Sequence, residues 1–161
     1  MFSQTSACPL PVSSALHQMR TPGDFLDCYR VTSDMAPRAA AEIITDFPGW
    51  AQLLVKLRGI VTAPFGLKQS GPEDVDSVGF FPVISDTPTE LIAGFDDKHL
   101  NFRVSVVQTD GHVHLATWVS PHNIGGRLYL TAILPFHILI ARDALVRVQN
   151  NPASGPTLSA T

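Results

Sequence analysis

The apolar positions of this chain change period along its length, and the changes mark its elements. From Leu100 they fall at Leu100, Phe102, Val104 and Val106, with His99, Asn101, Arg103 and Ser105 between them. That is the two-residue period of a half-buried strand. Asp110-Gly111 follows, a dipeptide suited to a tight type I′ turn because both central residues there take positive φ. A second alternating run, His112 to Pro121, completes a predicted hairpin. With Thr109 paired to His112, the register counts back to set Ser105 opposite Ala116, Arg103 opposite Trp118, Asn101 opposite Ser120 and His99 opposite His122. One face of the hairpin is apolar and needs a covering layer. The other carries an arginine, a tryptophan, two histidines, an asparagine and two serines, and reads either as a solvated sheet face or as the polar lining of a pocket.

Other segments give weaker patterns of the same kinds. Residues 1–22 are rich in Ser, Pro and Thr and are expected to form an irregular arm, with a turn of helix near Ser13 to Met19. Asp24 to Thr32 reads as a strand. Ser33 and Asp34 offer capping side chains, and Pro37 suits a first turn, so a short helix is expected over Ala39 to Phe47, ended by Pro48. A second helix is expected to open near Gly49, with Trp50, Leu53, Leu54, Leu57, Ile60 and Val61 along one stripe. After a polar loop from Gln69 to Ser77 come strands over Val78 to Ser85 and Thr89 to Phe95, then the hairpin. Leu128, Leu130 and Ala132 alternate with Arg127, Tyr129 and Thr131, which predicts a last strand over Arg127 to Ile133. Pro135 then opens a helix reaching Asn150, with Ile138, Ala141, Ala144, Leu145 and Val148 facing inward. Residues 150–161 read as a flexible tail, leaving 23–149 as a single domain.

Short connections between successive strands favour antiparallel neighbours. The predicted class is α+β, with a curved antiparallel sheet of six to seven strands wrapped around a C-terminal helix and two short helices after strand one.

Composition narrows the function classes. At 161 residues, 45% hydrophobic and 16% charged, the chain is long enough for one domain with a proper core. A net charge of -3 and scattered basic residues lack the footprint of a nucleic-acid binder. The N-terminus is interrupted by polar residues and Pro9, and the most apolar run, Leu128 to Ala141, is too short to span a bilayer and contains Pro135 and His137. The expectation is a cytoplasmic protein that is not inserted in a membrane. Cys8 and Cys28 lack metal spacing and read as reduced thiols.

The chemistry is sparse. No phosphate loop, dinucleotide-binding glycine pattern, nucleophile elbow or zinc spacing is present, so no cofactor is expected. Gly125-Gly126 reads as a hairpin loop. His112 and His114 share a strand face at a spacing that metals use, but they flank a turn expected to be exposed and no glutamate follows Glu90, so no metal is expected. The stronger constellation is His99, Asn101, Arg103, Trp118, His122 and Arg127, with Asp96 and Asp97 nearby. Arg103 beside Trp118 suits a cation-π contact or a grip on a ligand carboxylate. His99 and His122 are candidates for proton transfer, or for capping backbone groups at strand ends. Tyr129 and His137 complete the ligand-binding candidates, His137 looking either into a cavity or onto a loop carbonyl.

The order of elements resembles the helix-grip fold of the START and birch-pollen-allergen proteins (SRPBCC). The motifs D-F-L-D-C-Y from Asp24, P-G-W from Pro48, D-D-K-H-L-N-F-R from Asp96, H-N-I-G-G-R-L-Y from His122 and P-F-H from Pro135 resemble a bacterial family of unknown function with that fold. This second resemblance covers Asp24 to Val148. Members of that family more often carry aspartate where Asn101 stands. The resemblance implies a cavity between sheet and C-terminal helix and brings no known activity. Three functions follow as expectations: a binding module for a small amphipathic or hydrophobic molecule, anchored by Arg103 and the histidines; a cofactor-free cyclase, dehydratase or hydrolase with His99 or His122 as base and Arg103 stabilising negative charge; or a scaffolding domain with a filled core.

Overall fold

The computed structural model of the protein describes residues 5–47, 49, 75–79, 81–96 and 98–151. The helix expected from Gly49 to Val61, with Trp50, lies outside the described residues apart from Gly49, as does Asp97.

The hairpin expected around Asp110-Gly111 is the centre of the sheet. Both turn residues have positive φ, 52° and 72°, and the strands Leu100–Thr109 (β6) and His112–Pro121 (β7) pair from Thr109↔His112 to Leu100↔Pro121. Arg103 faces Trp118, Asn101 faces Ser120 and Ser105 faces Ala116, as the turn dictates. Phe25–Thr32 (β2) flanks β7, while Glu90–Asp96 (β5) and Phe81–Asp86 (β4) continue beyond β6. Two-residue strands, Ser6–Ala7 (β1) and Ser77–Val78 (β3), close the edges. The seven strands are all antiparallel, in the order β1-β2-β7-β6-β5-β4-β3. First and last long strands are therefore neighbours, as a sheet curved around a helix requires.

Among the described residues, two helices cover one face. Pro37–Thr45 (α1) starts at Pro37 as expected, though neither Ser33 nor Asp34 caps it: Ala36 holds the cap position without a side-chain bond, and Ser33 Oγ instead accepts from the Met35 amide. The second, Ile124–Asn150 (α2), is one continuous helix. This corrects the strand expected over Arg127 to Ile133 and the helix start expected at Pro135. The cause is Asn123, whose side-chain oxygen accepts the Gly126 amide at 3.0 Å and nucleates the helix there. Gly125 and Gly126 lie in its first turn, not in a hairpin loop. Pro135 sits inside the helix, where it cannot donate to the Thr131 carbonyl. At 27 residues and mean hydropathy 1.5, α2 is long and apolar enough to cross a membrane by length and composition, so the shorter run Leu128–Ala141 understated it. In the fold, its C-terminal half is core: Ala141, Ala144, Leu145 and Val148 are buried with Val104, Val106, Val113 and Leu115 of the sheet and Ala40, Ala41 and Ile44 of α1. Arg147 ties the two helices together by donating to the carbonyls of Ile43 and Asp46.

The opposite sheet face is covered as well. Residues 5–22, expected as an irregular arm, contribute β1 and a short 3-10 turn at Ala15–Gln18, and lie across it. Leu16 is fully buried there, packed with Cys28, Ile92, Ala116 and Trp118. The buried Glu90 carboxylate is the clasp: it accepts from the hydroxyls of Ser14 (2.7 Å) and Ser105 (2.6 Å) and from the Ala15 amide (3.0 Å).

Candidate functional site

Alternation along β2, β6 and β7 sends Phe25, Asp27, Leu100, Phe102, Leu115, Thr117 and Val119 to the helix side of the sheet. Near the N-terminal half of α2 the helix and sheet do not close on each other. Between them lies a hollow of about 190 Å³. Its wall is overwhelmingly apolar and rich in rings: Phe25, Phe47, Phe81, Phe95, Phe102 and Tyr129 all line it. Phe81, Phe95 and Phe102 form one cluster, with centroids 5.4 to 6.4 Å apart, in the range of favourable ring pairs.

Among the described residues, the polar groups in the wall are Thr45, Thr117, Tyr129 and His137. His137 is held by β2. Its Nε2 lies 3.0 Å from Asp27 Oδ2, with the two side chains 22% and 17% exposed, and the ring meets Phe25 edge-on at 6.3 Å. A carboxylate only accepts hydrogen bonds, so His137 Nε2 is the donor in this contact. The other carboxylate oxygen, Asp27 Oδ1, is buried without a hydrogen-bond partner among the described residues.

The residues singled out in the sequence separate into two groups. Tyr129 and His137 line the hollow. The others do not. Arg103 and Trp118 are neighbours, with the guanidinium 5.9 Å from the indole centroid, but they occupy the opposite face of the sheet. Arg103 is only 14% exposed, pairs with Asp96 at 2.8 Å and donates to the Phe102 carbonyl at 2.8 Å. Trp118 is buried and donates its indole N–H to Asp24 at 2.9 Å. Against the opposing effect of burial, hydrogen bonds from the Thr21 backbone, then from Ser120, Trp118 and the Thr21 hydroxyl, hold the Asp24 carboxyl below its usual range. The face read as either solvated or pocket-lining is in its centre an interior against the N-terminal segment, because Leu16 and its neighbours cover it.

His99 and His122 meet where β6, β7 and α2 converge. The His122 amide donates to the His99 carbonyl at 2.8 Å, His122 Nδ1 lies 3.3 Å from the Lys98 carbonyl, and His99 Nδ1 lies 3.1 Å from the Asn123 side-chain nitrogen. These contacts fasten the helix start to the strand ends, the capping alternative for this pair. Asn101 sits on the same outer face as Arg103, and Arg127 is exposed on the first turns of α2; neither lines the hollow. Of the paired His112 and His114, whose rings are 6.1 Å apart, the second is buried, contrary to the solvated position expected for it, because it faces the covered side. No cluster of three or more metal-binding side chains exists among the described residues.

Asp27 was missed as a site residue. The signal lay in its alternation: Phe25, Asp27, Tyr29 and Val31 share one strand face, and an aspartate among apolar neighbours on a core-facing row requires a partner. Which residue supplies it, 110 positions away, is not a local property.

The sheet with its C-terminal helix packed against one face is consistent with a helix-grip fold. Comparison with curated proteins and with solved structures finds no match. A family model described as "Protein of unknown function (DUF2867)" matches residues 21–144, from the segment preceding β2 to the buried part of α2. The chain belongs to that family, a domain of unknown function built as a sheet with a packed C-terminal helix.

Proposed function

We propose that the protein is a binding module that takes a small, largely hydrophobic molecule into the hollow between the sheet and α2. The observation that carries this reading is the hollow itself, about 190 Å³ and walled by six aromatic side chains. Apolar hollows of this order, around 150 Å³, stay dry and accept a benzene-sized guest. Thr45, Thr117, Tyr129 and His137 offer such a guest polar contacts. The alternative of a cofactor-free enzyme using Arg103, His99 and His122 loses support, since each is engaged elsewhere and none borders the hollow.

The test is titration with toluene, followed by NMR of the labelled protein. Chemical-shift changes confined to residues lining the hollow, saturating with ligand, are the expected result. Absence of any saturable change, or changes centred on the outer sheet face, overturns the reading.

A further inference from the structure

We propose that Cys8 and Cys28 are a modification site, joined on oxidation in a reversible disulfide that fastens the N-terminal segment to the sheet. The chain has two cysteines, and the fold brings them together from 20 positions apart, with the sulfur atoms 3.4 Å from each other. The Cys8 amide donates to the Cys28 carbonyl at 3.0 Å. Ser6 pairs with Arg30 and Ala7 with Tyr29 between β1 and β2, and the same register carried one step further sets Cys8 directly opposite Cys28. Opposite residues of antiparallel strands have Cα atoms about 4.5 to 5.5 Å apart, inside the span a disulfide bridges, about 4.4 to 6.8 Å. Both side chains lie on the outer sheet face, against the cluster of Leu16, Ala116 and Trp118. A bond requires the sulfurs to close to about 2 Å. β1 is the partner that can shift to allow it, being two residues long and paired on one side only.

The pair has the asymmetry that a two-step oxidation needs. Cys8 is half-buried and Cys28 is buried, so a small oxidant reaches Cys8 first. With hydrogen peroxide as that oxidant, the Cys8 thiolate attacks one peroxide oxygen and the O–O bond breaks, leaving Cys8 as a sulfenic acid. The hydroxide released takes up the proton that the Cys8 thiol had given up. The Cys28 sulfur then attacks Cys8 Sγ, the S–O bond breaks, and the departing hydroxide leaves as water with the Cys28 proton. In sum the two thiols lose two electrons and the peroxide becomes two waters. The bond closes a loop around Ser14, Ala15 and Leu16, the residues that hold the segment through Glu90 and the outer apolar cluster. In the reduced chain those contacts and β1 hold the segment; in the oxidised chain it is also tied covalently to β2.

The experiment treats the reduced full chain, and the variants Cys8→Ser and Cys8→Ala, with hydrogen peroxide, stops the reaction with catalase, and reads intact mass, peptide map and melting temperature. Folding of the variants is checked beforehand by circular dichroism. The unaltered protein is expected to lose two hydrogens and to yield a peptide joining Cys8 to Cys28 that dithiothreitol separates. It is also expected to melt at least about 5 °C higher, the effect of closing a loop of this size in a chain of this length, with no such rise in either variant. Cys8 carried on to sulfinic acid, a covalent dimer, or thiols left unaltered by the treatment overturns the disulfide. A joined peptide without a rise in melting temperature, or an equal rise in the variants, overturns the fastening.

Discussion

His114 carries a charge balance that depends on its neighbours more than on its sequence position. It is 6% exposed, and burial lowers its pKa below the ordinary histidine value of 6.5, against the opposing effect of a hydrogen bond with the Val107 backbone. The unfolded chain binds a proton near the ordinary value, while the folded chain resists it until lower pH. Between those two values the unfolded state holds the extra proton, so stability falls as pH falls through the window and is level above it. Melting temperatures measured from pH 7.5 to 5 should therefore decline for the unaltered protein, and more shallowly for His114→Gln; identical slopes would remove His114 from the balance. Cys28 shows the same dependence on surroundings. Burial, then the thiol of Cys8 at 3.4 Å, push its pKa far above the cysteine range, so alkylation mapped by mass spectrometry should label Cys8 well before Cys28. At this scale identities were legible along the chain and environments were not. Arg103 and Trp118 were legible as neighbours because a turn counts residues, yet nothing local told that Leu16 would cover them.

At the scale of elements, the boundary of α2 shows how a few atoms outrank a pattern. Alternating Leu128, Leu130 and Ala132 read as a strand, and Pro135 as a helix start, because both signals are averages over local sequence. Asn123 and Gly126 decided otherwise. A Cβ on Gly126 would lie 2.3 Å from the His99 carbonyl oxygen, a backbone atom that cannot move aside. Glycine inside a helix ordinarily costs about 1 kcal/mol relative to alanine, so Gly126→Ala would be stabilising if only propensity mattered. The clash reverses the sign, and a net loss of about 2 kcal/mol or more in denaturant unfolding is expected. Gly125→Ala, whose Cβ would meet only the side chains of Asn123 and His99 at 3.2 and 3.6 Å, should fall well short of that loss. Equal effects at the two positions would mean that the close approach of helix to strand end is not what the glycine serves. The H-N-I-G-G motif is thus a junction: a cap, a close backbone approach and His122, which together with His99 just before β6 binds strand ends to helix.

For the whole molecule, the decisive contact joins residues far apart in sequence. Glu90, Ser14, Ala15 and Ser105 bring the N-terminal segment, β5 and β6 together over the outer sheet face. Glu90→Ala leaves the hydroxyls of Ser14 and Ser105, both buried, without their acceptor. A loss of about 2 to 3 kcal/mol is expected, together with faster hydrogen exchange at the Cys8 amide, which bonds to the Cys28 carbonyl at 3.0 Å. Exchange unchanged at Cys8 would show the segment to be held by Leu16 and its apolar contacts alone. This covering layer also explains why the strongest polar constellation in the sequence is not the one at the hollow. With both faces of the sheet buried at its centre, the hollow formed on the side where α2 stands away from the strands, and the polar groups of its described wall are Thr45, Thr117, Tyr129 and His137.

What this chain's sequence determined by itself is whatever short-range geometry enforces. Positive φ at Asp110 and Gly111 set the register of the central hairpin, and the period-two rows sorted side chains between faces. The α+β order followed from short turns between strands. What only the tertiary structure decided was which face meets which layer, because that depends on segments such as Ser14 to Leu16 and His137 arriving from distant positions. Periodicity specifies that a face must be covered, whereas the identity of the cover is settled by the packing of the whole chain.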